Sequence, residues 1–555
     1  MPILIGILIV VIVIVALIWF FVGFMADAWN LFGNWFYHDI LLSWFFPNGA
    51  NIFMATPFFW IVLSAIVLIV LFFVFGDSYS GDAPGWLGML AIVVVIALLV
   101  VTVRGFWVLE ENGARAYLST TEFIVEDEDN VPSMLSMLET SPEAMVDIEE
   151  GSLPTDWVAR VASATGAEKV LKRTGDAINN TELMGDTMTY IYNEDGDGGV
   201  WTAIRNGKNQ QPIYGVASWD GSGEDVSTCE FEGDYELNKA FGGMWGKNLS
   251  NTIAAKFPLF TYNSSDMWGY CDNGEPIIVI PGTTTVGYDV RTIDQNNGIL
   301  TVQGSPSGEP VITHVTDVKP GDYPGPVYAQ RLVNQQLGSL AWAAGRHLNW
   351  FQNFGFEPTD VSSQSGNNSN YLLKDPEDGR LYWVTPLKPR STDSQTLIAY
   401  SVTPADITSA GELNEQKVYV LSDDDPRVVN LDNLEATVID AVRTSDPGFF
   451  TGDTPGRIVE FLPVSDDAWQ VFAEVNGRVK YRIDVSIGAT IKTTVVLVDG
   501  GSESPVPTDT ADPSDPSGEV VITCDDPAVL TDTQIANCIA ELASELQQRG
   551  VEATP

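Results

Sequence analysis

No lysine or arginine occurs before Arg104, and three runs in that stretch, about Ile3–Phe24, Phe53–Phe75 and Trp86–Val108, consist almost wholly of Val, Ile, Leu and Phe. Roughly 20 apolar residues in helical form cross the ~30 Å hydrocarbon layer of a bilayer. Each run reaches that length, so the pattern predicts three transmembrane helices and makes whatever follows a region tethered at its N-terminal end. The first run lacks the basic flank and processing context of a cleaved leader, which predicts a retained span. Between the first two runs, Trp29, Trp35, Tyr37 and Trp44 are residue types that settle at the headgroup level. Residues 29–49 are therefore expected to lie along the interface, with His38 and Asp39 as a polar pair at that level rather than a proton relay.

The remainder of the 555-residue chain holds nearly all of the 73 acidic groups, against 28 basic groups in total, for a net charge of −45. Phosphate recognition needs a basic face, so nucleic acid is not an expected partner. Four cysteines fall in two plausible pairs, Cys229 with Cys271 and Cys524 with Cys538, without the close spacing or neighbouring histidines of a zinc site. Disulfides in an oxidising compartment are their expected use. Arg104 and Arg115, the basic residues nearest a span, taken alone favour a cytoplasmic C-terminal region. The cysteine pairs outweigh them, and the bulk of the chain is expected outside the cytoplasm.

Residues 1–109 thus read as the transmembrane region, and 110–185 as a charged stalk and helical connector. In the connector, SPEAMVDIEEG and the stretch Pro154–Ile178 carry helix formers, with Asp156 near an N-terminus and Lys172 and Arg173 towards a C-terminus. From about Asp186 the apolar period becomes two, so 186–318 is expected to be a β-rich domain with a helix near Asn238–Phe257. Residues 319–499 read as an α+β domain. Leu332, Leu340, Ala344 and Leu348 share one face of a helix over 326–351, and strand-like runs follow it. In Leu381–Leu387, LYWVTPL, Leu381 and Trp383 alternate with Tyr382 and Val384, and Pro386 marks a strand end or edge. Asn476-Gly477 marks a hairpin turn. Residues 500–520, rich in Pro, Ser and Asp, read as a disordered linker. Residues 521–555 read as a C-terminal helix striped by Ile535, Ile539, Leu542 and Leu546 and stapled by Cys524–Cys538.

The helix over 326–351 followed by DGRLYWVTPL and TLIAYSVTPADI resembles PepSY-like modules, small α+β units with a helix laid on antiparallel strands. It is similar as well to ectodomain repeats of uncharacterised multi-pass membrane proteins of Gram-positive bacteria. The residues that carry the likeness are Leu381–Leu387 and Thr403–Asp406, within about residues 320–490, with Trp469–Asp484 a second, poorer copy. The resemblance implies a folded, extracytoplasmic, non-catalytic module and transfers no catalytic residue.

His314 and His347 are the only histidines after the apolar stretch, so a Ser/His or Cys/His catalytic arrangement has almost no material, and structural roles are expected for both. Asn193-Glu194-Asp195-Gly196-Asp197-Gly198 matches the first half of a calcium loop, with oxygens from Asn193, Asp195 and Asp197 at positions one, three and five and glycine at six. Position twelve is Ile204 instead of the bidentate glutamate, so a plain acidic hairpin turn is the simpler reading and Ca²⁺ the alternative. No catalytic or cofactor-binding residue is assigned.

The expected fold is a membrane-anchored α+β chain, three N-terminal transmembrane helices followed by a β-rich extracytoplasmic region of antiparallel sheet and packed helices. The expected function is non-enzymatic: assembly or interaction at a surface, as an oligomer or complex subunit, with membrane lipid and protein partners or further copies of the chain. The alternatives are an accessory or regulatory subunit of a membrane enzyme or transporter, and a structural membrane protein of a virion.

Overall fold

A computed structural model of the chain describes residues 110–498, apart from short interior stretches, and residues 505–509. The apolar runs and interfacial segment expected in 1–109, and the stapled helix expected in 521–555, lie outside the described residues. The expectation of a membrane-anchored α+β fold with three spanning helices is corrected. The chain is β-rich, and among the described residues no helix is long and apolar enough to cross a membrane. The longest helix among the described residues, Leu431–Ser445, has 15 residues. At 1.5 Å per residue that is about 22 Å, short of the ~30 Å required.

Strands and helices are numbered along the chain. A seven-stranded sheet is formed by β1 (Thr121–Val125), β2 (Ile148–Glu150), β13 (Phe356–Pro358), β14 (Tyr371–Lys374), β15 (Leu381–Pro389), β16 (Ala399–Pro404) and β18 (Gln416–Val420). Its order is β13-β15-β16-β18-β1-β2, with β14 also on β15. The stretch read as a stalk therefore belongs to the fold: β1 pairs β18 in parallel, Thr121 opposite Gln416, and β2 extends the sheet in parallel beyond it. The SPEAMVDIEEG segment, expected to be helical, supplies β2.

One face of this sheet is covered by α1 (Ser133–Thr140), α4 (Gln330–Ser339) and α5 (Gly345–Phe351). Phe123, Phe356, Leu387 and Val418 pack there against Leu135, Leu138, Leu332, Leu337 and Leu340. Burying each such aliphatic side chain contributes about 1.5–3 kcal/mol. The helical face expected over 326–351 is present, but the helix breaks after Ser339 and resumes at Gly345, whose φ of +85° and contact with Glu143 admit no side chain.

The opposite face packs on a second sheet, β19 (Arg457–Pro463), β20 (Ala468–Val475), β21 (Arg478–Ser486), β22 (Lys492–Leu497) and β23 (Pro505–Asp509), in that order. Leu373, Val384, Tyr400 and Val402 meet Phe461, Trp469, Val471 and Ile483, with α6 (Leu431–Ser445) closing the side through Leu434, Val438 and Val442. β23 lies within the stretch read as a linker. Its prolines recur every second residue, so their missing N–H groups point along one edge, which an edge strand tolerates.

Two further sheets pack on each other. The first comprises β3 (Thr181–Leu183), β4 (Thr189–Tyr192), β5 (Gly199–Gly207), β6 (Gly215–Trp219) and β7 (Ser227–Glu230). The second comprises β8 (Trp268–Asp272), β9 (Glu275–Tyr288), β10 (Arg291–Gln303) and β11 (Val311–Val315). Ile204, Ile278, Ile280, Leu300 and Val302 fill their interface with Leu249 and Ile253 of α3 (Leu249–Lys256), which occupies only the last part of the helix expected from Asn238. α2 (Ala164–Asp176) lies on the first of these sheets through Ala167, Val170 and Leu171. It starts ten residues later than Pro154. Trp157 and Val158 are held extended instead, donating backbone hydrogen bonds to the carbonyls of Val464 and Lys374. A two-stranded ribbon, β12 (Asp317–Val318) with β17 (Thr408–Ser409), ties the second sheet to the seven-stranded one.

Candidate functional site

A cleft of about 610 Å³ opens where three sheets converge. β4 contributes Tyr192, β8 contributes Tyr270, Cys271 and Asp272, and the loop at Gly321–Pro324 contributes Asp322 and Tyr323. β14 and β15 supply Lys374 and Leu381, and Asp406 closes the floor. That volume is in the usual range for a binding site.

Each wall residue is held by a local contact. The Tyr192 hydroxyl donates to the Leu372 carbonyl at 3.0 Å. The Tyr270 ring lies 5.4 Å from that of buried Trp268, whose indole N–H donates to the Pro326 carbonyl at 2.7 Å. Gly325 permits this packing, because a Cβ there would stand 2.8 Å from the indole. Asp406 accepts from the Arg380 guanidinium at 2.9 Å and from the Leu381 backbone N–H at 3.2 Å, so its charge is neutralised in place. Gly379, at φ +73°, makes the tight turn that brings Arg380 round to it.

The residues singled out in the sequence meet this cleft to differing degrees. Cys229 on β7 and Cys271 on β8 are brought near each other from two sheets, but as free thiols, one half-buried and one exposed, so the disulfide expected between them is not formed. Desolvation raises the pKa of both thiols. A thiol so shifted is protonated at neutral pH and a poor nucleophile. Cys524 and Cys538 lie outside the described residues, as do Asp195 and Asp197 of the calcium-like loop. Asn193 is described, at the base of the β4–β5 hairpin on the cleft's margin, where its carbonyl accepts from the Lys374 ammonium at 2.7 Å. A cation of the chain's own thus occupies that oxygen. Among the described residues no group of three or more His, Cys, Asp or Glu is placed to hold a metal ion.

Desolvation, with Tyr323, Asp272 and Glu275 adding negative character, pushes Tyr270 up to about 12. The wall formed by Tyr270 and Cys271 is therefore uncharged at neutral pH, suited to apolar and hydrogen-bonding contact. The His314 Nε2–H donates to the Asn297 carbonyl, 2.7 Å away, and the ring meets Phe257 and Phe260 edge-on, while the His347 ring packs tilted against Phe351.

A second cavity, about 410 Å³, holds a buried ion pair that the sequence reading passed over. Arg160 donates to Glu460 at 2.6 Å and to the Leu372 carbonyl at 2.9 Å, and its guanidinium lies 5.2 Å from the Trp201 ring centroid. Glu460 sits at φ +54° in a bulge of β19 and accepts the Ala164 N–H at the start of α2. A bulge that turns this carboxylate inward lets one side chain join sheet, helix and Arg160. The available signal was a lone acid inside the apolar run RIVEFLP.

No family model matches the chain, and no curated protein matches it.

Proposed function

We propose that the chain is a non-enzymatic contact protein, a subunit of a larger assembly, whose cleft seats a segment of a protein partner. The observation that carries this reading is the wall of Tyr192, Tyr270 and Tyr323 around a cleft of about 610 Å³. Tyrosine brings a large, stiff contact area with a hydroxyl that tolerates water, which is why it is enriched in interfaces and their hot spots. Asp272, Asp322 and Lys374 at the margin orient a polar segment, and the neutral Tyr270 and Cys271 wall buries its apolar part. The adjacency of Cys229 and Cys271 supports closure of one side of the cleft by a disulfide, and with it an extracytoplasmic setting.

Full-length protein carrying Tyr270→Ser and Tyr323→Ser, purified alongside the unaltered chain, tests the reading by native mass. The unaltered chain is expected as an oligomer or with a stoichiometric partner. The double variant is expected to lose about 2 kcal/mol or more of association, roughly 30-fold, with unchanged circular dichroism. An unaltered chain that stays monomeric and partnerless, or a variant that assembles equally well, would overturn it.

A further inference from the structure

Helix α5 ends in two exposed aromatic side chains, Trp350 at 36% and Phe351 at 73% relative exposure, the latter the highest of any large apolar residue among those described. Both are held in position while facing outward. The His347 ring packs against Phe351, tilted by 41° with centroids 5.1 Å apart, and the Arg346 guanidinium lies 5.7 Å from the Trp350 centroid. The helix itself is fixed from two sides. Ser141 donates to the Ala344 carbonyl at 2.8 Å, and a Cβ at Gly345 would stand 2.3 Å from that of Glu143. Arg346 then forks onto Glu111. Burial alone would raise the Glu111 carboxyl, but hydrogen bonds from Arg346 and Arg115 outweigh it and hold the group below the usual carboxylate range.

Glu111 belongs to the helical stretch 110–118, whose buried Ala114 and Leu118 join the core shared with α4 and α5. The residues immediately before it read Phe106-Trp107-Val108-Leu109, the end of a run that is almost wholly apolar from Trp86. A chain reaches at most ~3.5 Å per residue, which keeps Phe106–Leu109 within about 18 Å of Glu111 in any conformation. The seven residues of α5 span only about 10 Å. The end of one of the chain's apolar runs is therefore tethered near the exposed aromatic pair of α5. Arg346 marks the junction, touching Glu111 on one side and Trp350 on the other.

We propose that Trp350 and Phe351 form the seat of the chain's own apolar segment ahead of Glu110, with Phe106–Leu109 as the nearest occupants. The seat is separate from the tyrosine cleft and stands whether or not the cleft binds a partner. Covering it removes from water the most exposed large apolar side chain among the described residues and orients the N-terminal region relative to the seven-stranded sheet.

A benzophenone amino acid at position 351 of the full-length chain reports which C–H groups lie within contact distance. The expected result is photo-adducts within the same chain, mapping to residues 86–109, at several-fold the yield of the same probe at Leu259, another exposed apolar position. Placing the probe at 350 is expected to give the same map and guards against a local disturbance at 351. Adducts only to lipid, adducts only to a second copy, or yields no higher than at Leu259 would each overturn the proposal.

Discussion

Glu460 and Asp266 are both buried carboxylates, and they meet desolvation in different ways. Glu460 has a guanidinium at 2.6 Å and a helix N-terminus. Asp266 accepts the Gln330 N–H at 2.8 Å at the start of α4, and burial pushes its pKa up to about 6, against lowering by the backbone N–H groups of Gln330 and Arg331 and the Arg331 charge. A carboxyl whose folded pKa lies above its unfolded value of about 3.8 stabilises the fold fully below pH ~3.8. That stabilisation is lost as pH rises through about 6, a difference on the order of 3 kcal/mol. Asp266→Asn keeps the acceptor and removes the titration. Denaturant midpoints from pH 4 to 8 are expected to show the unaltered chain losing stability relative to this variant as pH rises. Parallel profiles would contradict the burial argument. Neither carboxylate's role was legible from its neighbours in sequence. Arg160 and Glu460 are 300 residues apart, and such a pair is made only by the packing of sheets.

β15 shows how far an element can be read from its own residues. The alternation of LYWVTPL is realised, with Tyr382 and Val384 facing the core under β19–β22, and Leu381 and Trp383 facing the core around α2. Pro386 is the exception. It was read as a strand end or edge, yet β15 continues to Pro389 and Pro386 lies opposite Tyr400 within the sheet. Its carbonyl accepts the Thr359 N–H at 3.0 Å, so its own nitrogen points to the same side, where β14 has ended and β13 stops. The proline ends its neighbour's ladder rather than its own strand, a consequence of two short strands sharing one side of β15. Pro386→Ala is therefore expected to change stability by no more than ~0.5 kcal/mol, whereas Val418→Pro, between β16 and β1, should lose ~3 kcal/mol or more. Urea midpoints compare them, and a large loss at Pro386 would contradict the geometry. The hairpin at Asn476, with φ +56° and Val475 opposite Arg478, was legible because its turn is local. The late start of α2 was not, since Trp157 and Val158 are extended by partners on β19–β20 and β14.

At the scale of the whole molecule, segments that read as successive units along the chain are interleaved in space. The stretch 110–185 supplies strands to a sheet completed by residues near 418, and the cleft takes walls from β4, β8, β14 and β15. Individual strands could be anticipated from spacing and composition, whereas Cys229 and Cys271, expected as a disulfide, are free thiols. The cleft could not, because its tyrosines are contributed by segments about 50 to 130 residues apart and none lies in a recognisable motif. The contact reading joins that cleft to a setting in which its cysteine rim is bonded. Thiol labelling of the intact source with a membrane-impermeant reagent, with and without reductant, tests this most directly. Labelling of Cys229 and Cys271 only after reduction is the predicted result. Free thiols at both positions, reached only after lysis, would contradict the paired rim and the extracytoplasmic setting together.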